Sequence, residues 1–252
     1  MDYDGKLILA PMVRVGTYPM RLLTAGYGAD IVYSEELVDK RVIASVRRVN
    51  EALGTVDFLD KGGEQGGRLM FRTSASERPR LVFQLGTAEA VGALRAVSVV
   101  AGDVGALDVN MGCPKQFSLQ GGMGAALLRK PEVAEVGLDD PRDTVELARR
   151  LGACGVSAIA VHGRTTQQRP RDPANWAHIR LVVDALESTR VPVIANGDIM
   201  SYSDAQRVRQ ETGCAAAMLA RAAMWNASVF RPGGEPWAWM CMYVCMYVCM
   251  YV

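Results

Sequence analysis

An α/β fold of the TIM (β/α)8-type barrel is predicted by three observations. Short apolar runs alternate with stretches of helical periodicity, the pattern of βα units around a parallel sheet. Many of those runs end in polar or glycine-bearing text (PM, SEE, QLG, NMGC, HGR, NGD, AR), and a parallel barrel gathers its chemistry at such carboxyl ends. The chain has 252 residues, the size of one such barrel at ~250. An open doubly wound sheet would also place ligands there, but no GxGxxG follows the first strand, which weighs against a dinucleotide fold.

The elements follow in order. LILAPM (7–12) is the first strand, and Thr17 before Tyr18-Pro19 starts a helix that Gly26 and Gly28 stop. ADIVYSE (29–35) is the second strand. TVDFL and RLMFRT then alternate around KGGEQGG, a hairpin excursion over about 53–75 that either borders a substrate or decorates the barrel. RLVFQLG (80–86), ALDVNMG (106–112), SAIAVHG (157–163), VPVIANG (191–197) and AAAMLAR (215–221) complete the set. Val145, Ala148 and Leu151 recur at helical spacing, as do Trp176, Ile179, Val183 and Leu186, and both stripes read as core packing. That makes seven strands, and a closed barrel needs eight. The 43 residues between Cys113 and Ser157 hold a loop and two helices, with EVAEVGL (132–138) reading better as a helix end than as a strand. The missing strand is placed near Leu138–Asp139.

Half the residues are apolar and 22% are charged, a composition that can bury a sizeable core. A net charge of +1 gives no global basic field, so any RNA-binding surface is local or belongs to another part. MDYDGKLILAPM is not a secretory signal, and six cysteines without C-x-x-C look reduced, so the expected compartment is cytoplasmic. With only His162 and His178 as histidines, no metal site is expected. Residues 237–252, WAWMCMYVCMYVCMYV, form a low-complexity CMYV-repeat tail, shorter than the ~20 residues of a membrane span. A repeated ATGT reads as Met-Tyr-Val-Cys in any frame, so the tail reads as translated simple-sequence DNA, strand-prone and without function.

The chemistry centres on DVNMGCPKQFSLQGGMGAALL (108–128). A free thiol titrates near ~8.5, so it is mostly protonated at neutral pH and can act as a general acid. Cys113 is read in that role, with nucleophilic catalysis paired to His162 as second choice and a buried structural cysteine as the bland alternative. QGGMGAALL reads as a loop entering a helix, with free amides able to hold an anion or carbonyl oxygen. ANGDI (195–199) and LARAAMW (219–225) occupy the last two strand ends, where barrels build phosphate sites from backbone amides. Gly197 permits close approach and Arg221 adds charge, which points to a phosphorylated cofactor such as FMN.

LILAPM, YSEE, FQLG, DVNMGCPKQFSLQGGMGAALL, AVHGRT, VIANGDI and LARAAMWN together resemble the tRNA-dihydrouridine synthases. APMVRVGTYPMRLLTAGYGADIVYSEELVDK is similar to the eukaryotic cytoplasmic branch acting on D-loop uridine 20, and the likeness spans most of residues 5–230. The resemblance implies an FMN barrel over residues 1–236 that reduces the uridine C5=C6 bond of tRNA with NADPH (or NADH), Cys113 protonating C5. It implies flavin contacts from Pro11, Met12, Gln84, Asn110 and His162, and phosphate contacts from Asn196, Gly197, Asp198, Ala220 and Arg221. Lys115 and Arg164 read first as solvated surface charge, with contact to the RNA backbone as the second reading. The chain departs from the family in the missing strand, which carries a Lys-x-Arg element there, and in lacking the C-terminal helical and RNA-binding domains. Two other readings share these residues: a non-catalytic truncated isoform or remnant, and a related FMN barrel reducing a free pyrimidine.

Overall fold

The structure, a computed structural model, describes residues 1–61, 67–113, 116–129, 141–165, 167–169 and 171–233. The tip of the hairpin excursion, Lys115, the junction at Leu138–Asp139 and the 237–252 tail lie outside the described residues.

The elements run β1 (Leu7–Leu9), α1 (Tyr18–Gly26), β2 (Ile31–Tyr33), β3 (Leu37–Val38), α2 (Asp39–Ala44), β4 (Val46–Asn50), β5 (Thr55–Leu59) and β6 (Leu69–Thr73). Then come β7 (Leu81–Gly86), α3 (Ala90–Val100), β8 (Ala106–Val109), α4 (Gln116–Gln120) and α5 (Pro141–Ala153). The last are β9 (Ile159–His162), α6 (Trp176–Leu186), β10 (Val193–Asn196), α7 (Tyr202–Thr212), β11 (Ala216–Leu219) and α8 (Arg221–Trp225).

All seven strands expected from the sequence form, and they pair in parallel in the order β8-β7-β2-β1-β11-β10-β9. That is the strand order of a barrel opened at one seam. Among the described residues β8 and β9 have one neighbour each, so the sheet is open between them. The short β3 extends the sheet beside the last two residues of β7.

Period-two alternation sorts the strand residues into two layers. Leu7, Leu9, Val32, Leu81, Phe83, Leu85, Val193, Ala195, Ala217 and Leu219 point outward into the layer shared with the helices. Ile8, Ala10, Ile31, Tyr33, Val82, Ile194, Ala216 and Met218 point inward and fill the barrel. Both faces are apolar because both are covered, which is why each strand reads as a near-continuous hydrophobic run. At the seam that cover fails. Leu107 and Val109, on the outer face of β8, are 39% and 46% exposed. Across the seam, α5 sets Leu147 and Leu151 against Ala125 and Met111, a small cluster apart from the main core.

The hairpin excursion is a three-stranded antiparallel sheet, β4-β5-β6, one strand more than the sequence pattern displays. Phe71 lies tilted against Phe58, ring centroids 5.6 Å apart, and meets Phe83 edge-on at 5.0 Å. Since Phe83 points outward from β7, this sheet covers the barrel wall where a βα unit would have a helix. A buried ion pair locks it there. Arg21 of α1 donates to Glu77 Oε1 from Nε (3.1 Å) and Nη2 (2.6 Å), and to the carbonyls of Gly16 and Arg72. No helix among the described residues is long and apolar enough to cross a membrane.

Candidate functional site

The carboxyl ends of β9, β10 and β11 are tied into one polar unit. His162 ends β9, and its Nδ1 accepts the Arg164 amide at 3.0 Å. Withdrawal of the ring from water and the charges of Arg164 and Arg221 lower its pKa, against a smaller opposing pull from Asp198. At neutral pH the ring is therefore uncharged and carries its proton on Nε2, as a donor.

Asp198 lies after β10 with φ 52°, a left-handed position unusual for a residue with a side chain. Its carboxylate accepts Arg164 Nη2 and Arg221 Nη2, each at 2.6 Å, and the Ala174 amide at 2.8 Å. Burial alone would raise its pKa, but these donors overturn that and hold it below the ordinary carboxylate value. Two guanidinium groups on one carboxylate leave a net positive charge at these strand ends. Gly197 (φ 117°) is required by crowding as well as by conformation, because a Cβ there would stand 2.9 Å from that of Ala174. Trp176 Nε1 donates to the Gly197 carbonyl at 2.8 Å, fixing the loop from the α6 side.

Asn196 donates through Nδ2 to the Met218 carbonyl at 2.7 Å, a stitch between β10 and β11. Ala220 links β11 to α8. Arg164 sits within this unit. Its guanidinium, 9% exposed, is bound to Asp198 and, through Nε, to the Asp172 carbonyl at 2.6 Å. It is a largely buried strut between the loops after β9 and β10 rather than a solvated surface charge.

On the other side of the barrel, Gln84 and Asp108 face inward from β7 and β8, and Gln84 Nε2 donates to Asp108 Oδ2 at 2.8 Å. Burial raises the Asp108 pKa, with the Gln84 donation opposing it. The same burial, with Asp108 nearby, raises the pKa of Tyr33 and Tyr3. Ser34 Oγ accepts the Gln84 amide at 2.9 Å. Pro11 and Met12 leave β1 in a turn closed by the Val15 and Gly16 amides on the Met12 carbonyl.

Cys113 is half-buried just past β8. Asn110 Oδ1 accepts the amides of Gly112 (3.0 Å) and Cys113 (3.1 Å). The Cys113 carbonyl accepts the Ala125 amide at 3.0 Å. The segment after it differs from the sequence expectation. GAALL begins a 3-10 turn (Gly124–Arg129) rather than an α-helix, after the five-residue α4. The amides of Gly122, Met123, Ala125 and Ala126 all donate within the loop or to Cys113, so they are not an anion cradle.

The sequence reading missed Asp108, Ser34, Asp172 and Ala174. Only Asp108 had a legible signal, since it shares the inward register of Ala106. A surface cavity of about 540 Å³ is lined by Gln168, Pro173, Ala174, Asn175, Trp176, Ala177 and Glu211, on the loop before α6, its first turn and the end of α7.

The parallel strand order and the polar groups gathered at its carboxyl ends define an α/β chain of the TIM-barrel class, open at one seam. The Dihydrouridine synthase (Dus) family model matches residues 8–139 and 134–236, two segments that overlap at 134–139. The chain is 37% identical over 93% of its length to the tRNA-dihydrouridine(20) synthase [NAD(P)+] of Schizosaccharomyces pombe, and 37% over 94% to that of Saccharomyces cerevisiae. It is 29% identical over 91% to the human tRNA-dihydrouridine(20a/20b) synthase [NAD(P)+]-like protein. It spans 53%, 69% and 73% of these relatives. This chain belongs to the dihydrouridine synthase family.

Proposed function

We propose that this chain, up to residue 236, is the catalytic barrel of a cytoplasmic tRNA-dihydrouridine(20) synthase that holds FMN and reduces the C5=C6 bond of a D-loop uridine with NAD(P)H. The observation that carries the reading is the placement of Cys113, held at the end of β8 by Asn110 and Ala125 in a family named for this reaction. The names of the two yeast relatives support uridine 20 and NAD(P)H.

The residues present fit a flavin phosphate at the β10 and β11 ends. Arg221 supplies charge, Gly197 brings backbone close, and the paired arginines outweigh the single Asp198 carboxylate. Asn110 Nδ2 and His162 Nε2 are donors without a hydrogen-bond partner among the described residues, suited to the ring and its chain. Pro11, Met12 and Gln84 complete the contacts, and Asn196 and Ala220 brace the backbone around the phosphate. When bound, the flavin supplies hydride, drawn from NAD(P)H, to the uracil ring. Cys113 holds the proton that C5 receives. The target base must leave its stack to reach this mouth, a cost of a few kcal/mol that base-modifying enzymes commonly meet.

The test is reconstitution of the purified chain with FMN, reduction by NADPH under anaerobic conditions, and addition of unmodified tRNA. Dihydrouridine is expected at position 20, and Cys113→Ala is expected to slow its formation by about 10²–10⁴-fold. Free uridine serves as the competing substrate. Absence of flavin uptake, or preference for the free pyrimidine, would sink the reading.

A further inference from the structure

We infer that Asn110 is a positioning residue for Cys113, acting through its side-chain oxygen; the inference rests on the reading of Cys113 as proton donor. The backbone of Asn110 belongs to the sheet, because its amide donates to the Leu85 carbonyl at 3.0 Å. Cys113, three residues later, is past the end of β8. What ties it back is a side chain. Asn110 Oδ1 accepts both the Gly112 amide at 3.0 Å and the Cys113 amide at 3.1 Å.

The far side of the cysteine is held separately. Its carbonyl accepts the Ala125 amide, and Gly124 leaves room for that approach. The two holds converge on one residue from two elements that otherwise belong to different parts of the loop. Gly112 is exposed, so water can replace the lost acceptor at its amide, and the main effect of removing Oδ1 is freedom rather than instability. For a proton donor that freedom matters, since a displacement near 1 Å can cost on the order of 10²-fold in rate.

The amide also divides the labour. Oδ1 is spent on the loop, while Nδ2 makes no hydrogen bond among the described residues and remains for a ligand acceptor. Aspartate at this position would keep the first role and lose the second. Alanine would lose both.

The experiment is peptide-resolved hydrogen exchange on the full chain, followed by single-turnover kinetics with pre-reduced, FMN-saturated protein and unmodified tRNA. Asn110→Ala is expected to speed exchange at Gly112 and Cys113 by about tenfold, the worth of one ordinary hydrogen bond, with other peptides unchanged. Asn110→Asp is expected to retain protection there. Uridine reduction, taken relative to flavin reduction by NADPH in the same variant, should fall about 10–100-fold in Asn110→Ala and recover in Asn110→Asp. If Asn110→Ala does not fold, Asn110→Leu keeps the volume without the acceptor and serves in its place.

Wild-type exchange at 112–113 in the variant without an acceptor, or lost protection in Asn110→Asp, overturns the inference. So does an unchanged kinetic ratio in Asn110→Ala while Cys113→Ala is slow. A Cys113→Ala variant that reduces uridine at the wild-type rate refutes the reading of the cysteine instead, and the exchange data then judge the tether alone.

Discussion

A Cβ built on Gly124 would stand 2.6 Å from the carbonyl oxygen of Cys113 and 3.0 Å from its Cβ. The glycine (φ 58°) is thus the space into which the cysteine backbone packs, and any side chain there must displace one or the other. Gly124→Ala should cost about 1–2 kcal/mol from the left-handed backbone alone, with more from the clash. The diagnostic measurement pairs thermal unfolding with uridine reduction. The variant should lose activity even at temperatures where it remains folded, and full activity there would contradict this packing argument.

The ion pair between Arg21 and Glu77 is 2% and 1% exposed at its side chains, and it connects α1, the Gly16 turn and β6. Thr73 Oγ1 adds a third donor to Glu77 Oε1. Removing one partner strands the other charge, so Glu77→Leu should cost about 3–5 kcal/mol in denaturant unfolding. Adding Arg21→Met to that variant should recover part of the loss. Strict additivity of the two single changes would show that the pair is not coupled.

The strands were legible in the sequence because both their faces are apolar and their ends are polar, as in VFQLG and VIANGD. β4 was not. Val46, Arg47, Arg48 and Val49 are all exposed, so no buried face imprints alternation, and Arg47 is held instead by a tertiary pair with Asp103. At the strand ends the sequence offers candidate residues but not the bonds between them. The type and place of Asn110 drew attention, but no local pattern says that its oxygen turns back to two amides of its own loop. Nor does any tell an arginine that supports a carboxylate, Arg164, from one exposed to solvent. The glycines of QGGMG read only as a loop entering a helix, yet Gly122 and Gly124 hold left-handed conformations in a turn closed by backbone bonds.

Asp108 sets a pH dependence. Burial raises its pKa, so the folded state binds the proton more tightly than the unfolded chain does. Its stabilising contribution is complete below the unfolded value of ~3.9 and is lost as pH rises through the folded value. Asn at this position removes that loss and can still accept from Gln84. Asp108→Asn should therefore raise Tm relative to wild type at pH 8, with the gap closing at pH 4. A gap of equal size at both values would mean that the carboxyl is not the cause.

Arg164 separates two accounts of the strand ends. If it contacted RNA phosphate, removing it would lower the slope of log K against log salt by about 0.7–0.9. Its guanidinium is instead bound to Asp198 and the Asp172 carbonyl, beside Arg221 on the same carboxylate. Arg164→Ala should then leave the salt slope of tRNA binding unchanged while loosening the loops after β9 and β10. Arg164→Lys should rescue it poorly, because an ammonium cannot span Asp198 and the Asp172 carbonyl as the planar guanidinium does. FMN affinity is the second readout. It should fall in both variants, since Asp198 released from Arg164 turns its full charge on Arg221 and the phosphate loop. A reduced salt slope with normal flavin affinity would return Arg164 to the RNA surface.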